Sequence, residues 1–279
     1  MSAKTENRVV LVTGASSGIG LACATRLAMR GFRVYGSTRR EPSSSGEHPF
    51  TMLRMDVTDE LSVQCGVEAI VGREGRLDIV INNAGAGLAG PVECTSVDEA
   101  QWQFDVNLFG VLRVCRTVLP ILRRQGTGYI INIGSIGGLI AIPFQPLYSA
   151  SKFAVEGLTE ALRYEASPFG IKVVLIEPGD YKTSFTRNRV ETRSANEVAA
   201  YRDAFQAALE RMESDEQNGP SPSRIAALVT RIVNKPNARL RYSTGKASQR
   251  AAVWLKRLLP FRIFEREIRK YYGLIDRRN

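Results

Sequence analysis

Val9-Val10-Leu11-Val12-Thr13-Gly14-Ala15-Ser16-Ser17-Gly18-Ile19-Gly20 reads as a buried strand that runs into a glycine-rich turn and then a helix. In such a turn Gly14 permits the sharp change of direction. Gly18 lets the backbone approach a pyrophosphate, and Gly20 lets the helix pack closely on the strand. The helix start then offers unpaired N–H groups and a positive dipole to an anion. Glycine turns alone are weak signals, but strand, turn and helix in this order predict a nucleotide cradle.

Working outward, short β-branched runs at 9–13, 33–37, 51–55, 79–82, 129–133, 172–176 and 239–242 predict strands. Helical windows lie between most of them, at 20–30, 61–74, 98–124 and 149–167. Strand–helix alternation with near-continuous apolar strands predicts a parallel sheet covered on both faces. Right-handed crossovers make it a Rossmann-type, doubly wound, seven-stranded α/β fold with a C-terminal helical extension. No repeat or long linker divides the chain. Residues 1–245 are expected to form the catalytic domain and 246–279 a basic amphipathic tail packed on it. The polar stretch 183–222, with a helix expected over 195–212, is the expected substrate excursion.

Composition excludes several classes. Apolar and charged fractions are ordinary for a globular protein, and no apolar run reaches the roughly 18 residues of a membrane helix. The N-terminal residues are polar, with no signal-peptide core, so a cytoplasmic location is expected. Cys23, Cys65, Cys94 and Cys115 form no C-x-x-C pair, and His48 is the sole histidine, so no metal site is expected. A Ser–His–Asp triad lacks a base, because His48 sits in a Pro/Ser/Gly-rich turn at 41–49. The net charge is +10, but the excess gathers after Arg224, which argues for a basic tail and against a nucleic-acid-binding fold.

The end of the second strand bears on the choice of dinucleotide. An acid there suits the adenosine ribose hydroxyls of NAD, and an arginine suits the 2′-phosphate of NADP. The chain reads Ser37-Thr38-Arg39-Arg40, with no acid until Glu41, which favours NADP(H) over NAD(H).

Further motifs follow in order: Asp56-Val57, Asn82-Asn83-Ala84-Gly85, Asn107 within Val106-Asn107-Leu108-Phe109-Gly110, Ser135, Tyr148-Ser149-Ala150-Ser151-Lys152, and Pro178-Gly179 with Thr183. Together with the cradle they resemble the short-chain dehydrogenase/reductase family over about residues 8–245. Val34-Tyr35, Arg39 and the Tyr242 region are most similar to hydroxysteroid- and retinol-type members.

The resemblance implies an NADP-dependent oxidoreductase that interconverts a ketone or aldehyde and an alcohol. It implies Tyr148, Lys152, Ser135 and Asn107 as the catalytic set, with Asn107 holding a water that contacts Lys152. It further implies that Asp56 and Val57 contact adenine, that Asn83, Ala84 and Gly85 line the adenosine-ribose side, and that Ile19, Pro178, Gly179 and Thr183 position the nicotinamide. NADP(H)-preferring members often carry a basic residue just before the second glycine. This chain has Ser17 there, so phosphate recognition rests on Arg39, with Arg40, Ser16 or Ser17.

The residues make chemical sense on their own terms. Tyr148 and Lys152 are one helical turn apart and face one site. A free tyrosine titrates near 10; a nearby ammonium and the nicotinamide cation are expected to lower that value toward working pH. Ser135, ending the fifth strand, can stabilise charge on a substrate oxygen.

A nucleotide-sensing protein that kept the fold without the chemistry would lack Tyr148 or Lys152, and both are present. The aromatic and cationic tail suits an interfacial membrane helix or a protein contact. The expected arrangement, however, is two short helices split at Pro260, burying Trp254, Phe261, Phe264 and Tyr271 over the substrate entrance or a neighbouring subunit. A homodimer or homotetramer acting on a small carbonyl or alcohol is expected. Ile136, Leu139, Ile140, Ile142 and Phe144, with Gly87, Leu88 and the excursion, point to an apolar pocket for a lipophilic substrate.

Overall fold

The computed structural model describes residues 7–41 and 48–274; the N-terminal residues 1–6, the serine-rich turn at 42–47 and the last basic residues, 275–279, lie outside them. The chain runs β1 (Val9–Val12), α1 (Gly18–Ala28), β2 (Arg33–Thr38), β3 (Thr51–Arg54), α2 (Glu60–Glu74), β4 (Ile79–Asn82) and β5 (Leu88–Ala89). It continues through α3 (Val97–Phe104), α4 (Gly110–Gln125), β6 (Gly128–Ile133), α5 (Pro146–Ala166), β7 (Ile171–Pro178), α6 (Phe185–Asn188) and β8 (Val190–Glu191). It closes with α7 (Ala199–Gln217), α8 (Ser223–Ile232), β9 (Arg241–Thr244), α9 (Ala247–Leu258) and α10 (Phe261–Tyr271).

Seven strands form one sheet in the order β3-β2-β1-β4-β6-β7-β9, with every pairing parallel. The order reverses between β1 and β4, and a crevice opens there beyond the strands' carboxyl ends. The strands read as unbroken apolar runs because alternate residues enter two cores. Val10, Val12, Ile79, Ile81 and Ile131 meet Cys23 and Leu27 of α1 and Ile225 and Val229 of α8. Val9, Leu11, Val80, Ile130 and Val173 meet Val67 of α2, Val118 of α4 and Leu162 of α5.

Helix ends obey local chemistry. Asp59 accepts from the N–H groups of Leu61 and Ser62 to start α2, and Gly75, at φ 70°, ends it. Ser96 and Glu99 form a reciprocal capping box on α3, an arrangement that contributes about 1 kcal/mol.

Several boundaries depart from the sequence reading. The window 98–124 is two helices joined by a π-helical turn, Asp105–Phe109, which rotates Asn107 inward. The helix expected over 195–212 begins at Ala199, because Ala195 and Glu197 close turns onto Thr192 and Ser194, and it runs on to Gln217. Helix α8, following Ser221-Pro222, was not anticipated. The last strand begins at Arg241 and not at 239, since the Arg239 N–H donates to the Tyr242 hydroxyl and holds a turn there.

The tail splits at Pro260 as expected, but its aromatics are not all covered. Only Phe264 is buried, while Trp254, Phe261 and Tyr271 stay exposed. The reason is register. On α9 the residues turned toward the body are Gln249, Ala252, Val253 and Lys256, and the apolar stripe lies on the other side.

Candidate active site

A cavity of about 1260 Å³ follows the crevice from the β1–α1 turn to the end of α7. It is lined by Gly14, Ser16, Ser17, Gly18, Ile19, Arg39, Arg40, Asp56, Val57, Asn83, Ala84, Gly85, Ser135, Tyr148, Lys152, Pro178, Gly179 and Thr183. Of the residues expected to bind the cofactor or take part in catalysis, Gly20 and Asn107 lie behind the wall.

The cradle has no room for side chains. Gly14 and Gly18 adopt φ of +64° and +57°, and a Cβ on Gly14 would stand 2.9 Å from the Ala84 backbone. A Cβ on Gly20 would meet the Gly14 carbonyl oxygen at 2.3 Å, so α1 starts hard against the turn. This shape, with the first N–H groups of α1 at one end, fits a dinucleotide pyrophosphate. Thr13, to which the motif alone assigns no role, holds the opposite wall. Its hydroxyl accepts from the Asn83 and Ala84 N–H groups, both at 2.9 Å. The Asn83 amide in turn donates to the carbonyls of Thr13 and Gly14. The Asn83 side chain therefore braces the cradle while the residue also lines the cavity.

At the adenosine end, Asp56 turns one oxygen to the N–H and hydroxyl of Thr58. Val57 is buried beneath Gly110. Arg39 and Arg40 are exposed and in no ion pair among the described residues. Glu41, the nearest acid, is turned away to Arg54. Ser17 accepts from the Ser184 hydroxyl at 2.9 Å, tying the cradle to the substrate excursion.

At the opposite end, Ser135 follows β6 while Tyr148 and Lys152 sit a turn apart on α5. The loop from β6 lies flat on α5 because Gly138 has no side chain; a Cβ there would stand 2.9 Å from the Lys152 carbonyl oxygen. The Ser135 hydroxyl accepts from the Gly137 N–H at 2.9 Å. Lys152 donates to the Ile133 carbonyl at 3.0 Å, and its Nζ is 5.9 Å from the centre of the Tyr148 ring. Phe185 of α6 covers that ring from the far side, with centroids 5.7 Å apart.

Two features of this pair and of Asn107 come from the folded surroundings. Burial pushes the Tyr148 phenol up, to about 12. A hydrogen bond from Ser135 opposes the shift, and the charges of Glu216 and Asp180 add to it. Lys152 does not lower it in the protein alone. The ammonium is itself pushed down, to about 8, by burial, against the pull of Glu156. The Asn107 side chain has both amide hydrogens engaged within the protein. Its amide donates to the Ala86 carbonyl and the Ser151 hydroxyl, both at 3.0 Å, and its oxygen accepts from the Ala86 N–H. Asn107 thus joins the α3–α4 turn to α5 directly beneath Tyr148 and Lys152.

The substrate end is more polar than the sequence suggested. Ile142, Phe185, Val190 and Met212 line it together with Asp180, Asp215, Glu216 and Tyr272. Leu139 and Ile140 are absent from the wall, and Phe144 turns away to pack on Phe205. Burial raises the Asp180 carboxyl to about 6, with Glu216 and Asp215 adding to the effect. Its oxygen and N–H bond the Gln249 amide of α9. Glu216 bonds Arg189 and Thr186 of the excursion. These pairings join residues tens of positions apart, and no local motif announces them.

Comparison with known proteins agrees with this architecture. Residues 8–194 match the short chain dehydrogenase family. The chain is 41% identical over 267 residues to a 3-ketodihydrosphingosine reductase of Bacteroides thetaiotaomicron, covering 96% of this chain and 98% of that one. It is 34% identical over 255 residues to human 17-beta-hydroxysteroid dehydrogenase type 1, covering 85% and 77%. The structure of a short-chain dehydrogenase from Streptomyces avermitilis superposes with a TM-score of 0.78 at 29% identity, covering 99% and 100% of the two chains. A glycine cradle at the sheet's switch point, a tyrosine and lysine one turn apart across the same cavity, a family match over residues 8–194 and a 41%-identical relative matched over 98% of its length give one conclusion: this chain belongs to the short-chain dehydrogenase/reductase family of oxidoreductases, which bind nicotinamide cofactors.

Proposed function

We propose that the protein is an NADP(H)-dependent reductase of a ketone on a lipophilic, long-chain substrate, with Tyr148 as the proton donor. The observation that carries this reading is the single cavity joining Arg39, the glycine cradle, Ser135, Tyr148 and Lys152. The bound dinucleotide supplies the hydride. The protein supplies the rest. The substrate oxygen lies between the Ser135 and Tyr148 hydroxyls, which donate to it as negative charge develops. The phenol, neutral at neutral pH because it is buried, is already in the acid form that reduction requires. Its proton passes to the oxygen, and the Lys152 ammonium supports the phenolate left behind. Asn107 is the positioning residue that fixes α5 in this register. Phe185 and Ile142 exclude water from the reacting centre.

For substrate class, the Bacteroides relative's name supplies a long-chain 3-ketone, and the cavity's size and mixed wall suit a chain with a polar head. Asp180 stands among the head-group candidates, since it is in no ion pair among the described residues. Purified protein with NADPH is expected to reduce 3-ketodihydrosphingosine faster than retinal or a 17-ketosteroid. Turnover of none of the three removes the substrate class.

Cofactor choice rests on Arg39. Arg39→Ala is expected to weaken NADPH by about 1.5–3 kcal/mol, as for a hydrogen bond to a charged group, and to leave NADH nearly unaffected. Adding Thr38→Asp turns the preference toward NADH, because a carboxylate repels the 2′-phosphate and accepts from the ribose diol. Fluorescence titration reads both. Equal affinity of the parent for NADH and NADPH overturns the assignment.

A further inference from the structure

We propose that the outer face of the last two helices docks the protein onto an anionic lipid surface. Helices α9 and α10 each have two faces. The inner faces pack on the body beside the cavity. Gln249 bonds Asp180, Lys256 donates to the Leu139 carbonyl, Phe264 is buried, and Tyr272 lines the wall. The outer face does the opposite of what a solvated helix does. Ala247, Ala251, Trp254 and Leu258 recur at helical spacing along α9. Trp254, Leu258 and Phe261 are 64%, 74% and 72% exposed, and Leu255 and Ile263 flank them in the open. The stripe passes through Leu259-Pro260 onto the start of α10, so the two helices share one apolar edge.

Charge selects the occupant. Residues 246–279 carry ten lysines and arginines against three acids, so most of the chain's net +10 lies in its last eighth. Arg250, Arg257 and Arg262 border the apolar stripe, and the Arg257 guanidinium lies over the Trp254 ring. A protein surface complementary to this edge would need apolar and acidic groups interleaved. A layer of anionic headgroups over acyl chains offers both at once, with aromatic rings at the boundary and guanidinium groups on phosphate. A second copy of this edge would set like charges against each other. No helix among the described residues is long and apolar enough to cross a membrane, so the contact is interfacial. Because Gln249 of α9 bonds Asp180 of the cavity wall and Tyr272, next after α10, lines it, docking brings a lipophilic substrate and the site together.

The test is co-sedimentation of the full chain with vesicles of phosphatidylcholine and phosphatidylglycerol in equal parts, and with phosphatidylcholine alone. Binding is read without turnover, so its failure leaves the reductase reading untouched. Expected is binding to the anionic vesicles at about 50 mM salt that falls roughly tenfold or more at about 500 mM. The same loss is expected for W254S/L258S/F261S and for R250E/R257E/R262E, with unfolding temperature and NADPH affinity unchanged. On anionic vesicles Trp254 emission should shift to the blue, a shift absent in Trp254→Phe. No vesicle binding by the parent overturns the proposal, as does equal, salt-insensitive binding to phosphatidylcholine. An assembly of several copies that the triple serine variant breaks apart, without vesicle binding, assigns the edge to a second copy and overturns it as well.

Discussion

Tyr148→Phe is expected to lower turnover by about two orders of magnitude or more while NADPH affinity, followed by fluorescence, changes little. The substitution is conservative in every respect but one. The ring is buried, at 8% exposure, between α5 and Phe185. Phenylalanine keeps both that contact and the volume, so the wall does not collapse. What disappears is the hydroxyl that pairs with Ser135 and is held neutral by burial. The loss should therefore fall on kcat, with KM moving much less, because the proton is needed in the transition state. A mainly structural tyrosine would give the reverse pattern, with lowered stability and nearly normal turnover. Near-normal turnover on any substrate that the parent accepts overturns the assignment.

The sequence reveals the parts of this site that local chemistry dictates. Gly14, Gly18 and Gly20 can be read because two positive φ angles and a close helix start admit no side chain. Tyr148 and Lys152 can be read because helical spacing alone brings them to one face. The strands can be read because burial on both faces leaves unbroken apolar runs, and the seven-strand parallel order follows. What stays hidden depends on partners far away in the chain. Asn83 and Asn107 look like ligand contacts in a linear reading, yet the amide hydrogens of each are spent on backbone carbonyls and, for Asn107, on Ser151. Thr13 gives no signal until Asn83 and Ala84 are folded onto it. Asp180 and Gln249 are paired across 69 positions. Glu156 and Glu177 form a buried acidic pair with Arg241 reaching both. Burial, with the charge of Glu177, raises the Glu156 carboxyl to about 7. The rise of the Tyr148 phenol in the protein alone is hidden for the same reason: desolvation is a property of the folded surroundings and outweighs a neighbour inferred from spacing.

Lys152→Met is expected to abolish useful turnover and at the same time to make the protein more stable at pH 7. Burial drives the Lys152 ammonium from 10.5 down to about 8. The unfolded chain therefore binds this proton more tightly than the folded one does. Between pH 8 and 10.5 the unfolded state holds more protons, so stability rises with pH across that window. Below pH 8 the full desolvation penalty is in force. A difference of roughly 2.5 pKa units corresponds to about 3 kcal/mol. Methionine fills much the same volume without the charge, but it leaves the Ile133 carbonyl without its donor, at a cost of about 1 kcal/mol or more. The net gain should be about 1–2 kcal/mol at pH 7, a rise of a few degrees in Tm. It should shrink steadily as the pH approaches 10. Turnover should fall about a hundredfold or more, since the phenolate formed by Tyr148 loses its neighbouring cation. Thermal unfolding and initial rates on the same two proteins test both halves. A lysine with only a packing role gives a less stable variant that still turns over, and that result removes Lys152 from the mechanism. A protein that holds a buried ammonium at a loss of stability does so for its chemistry, and opposite signs in the two measurements are the signature of that use.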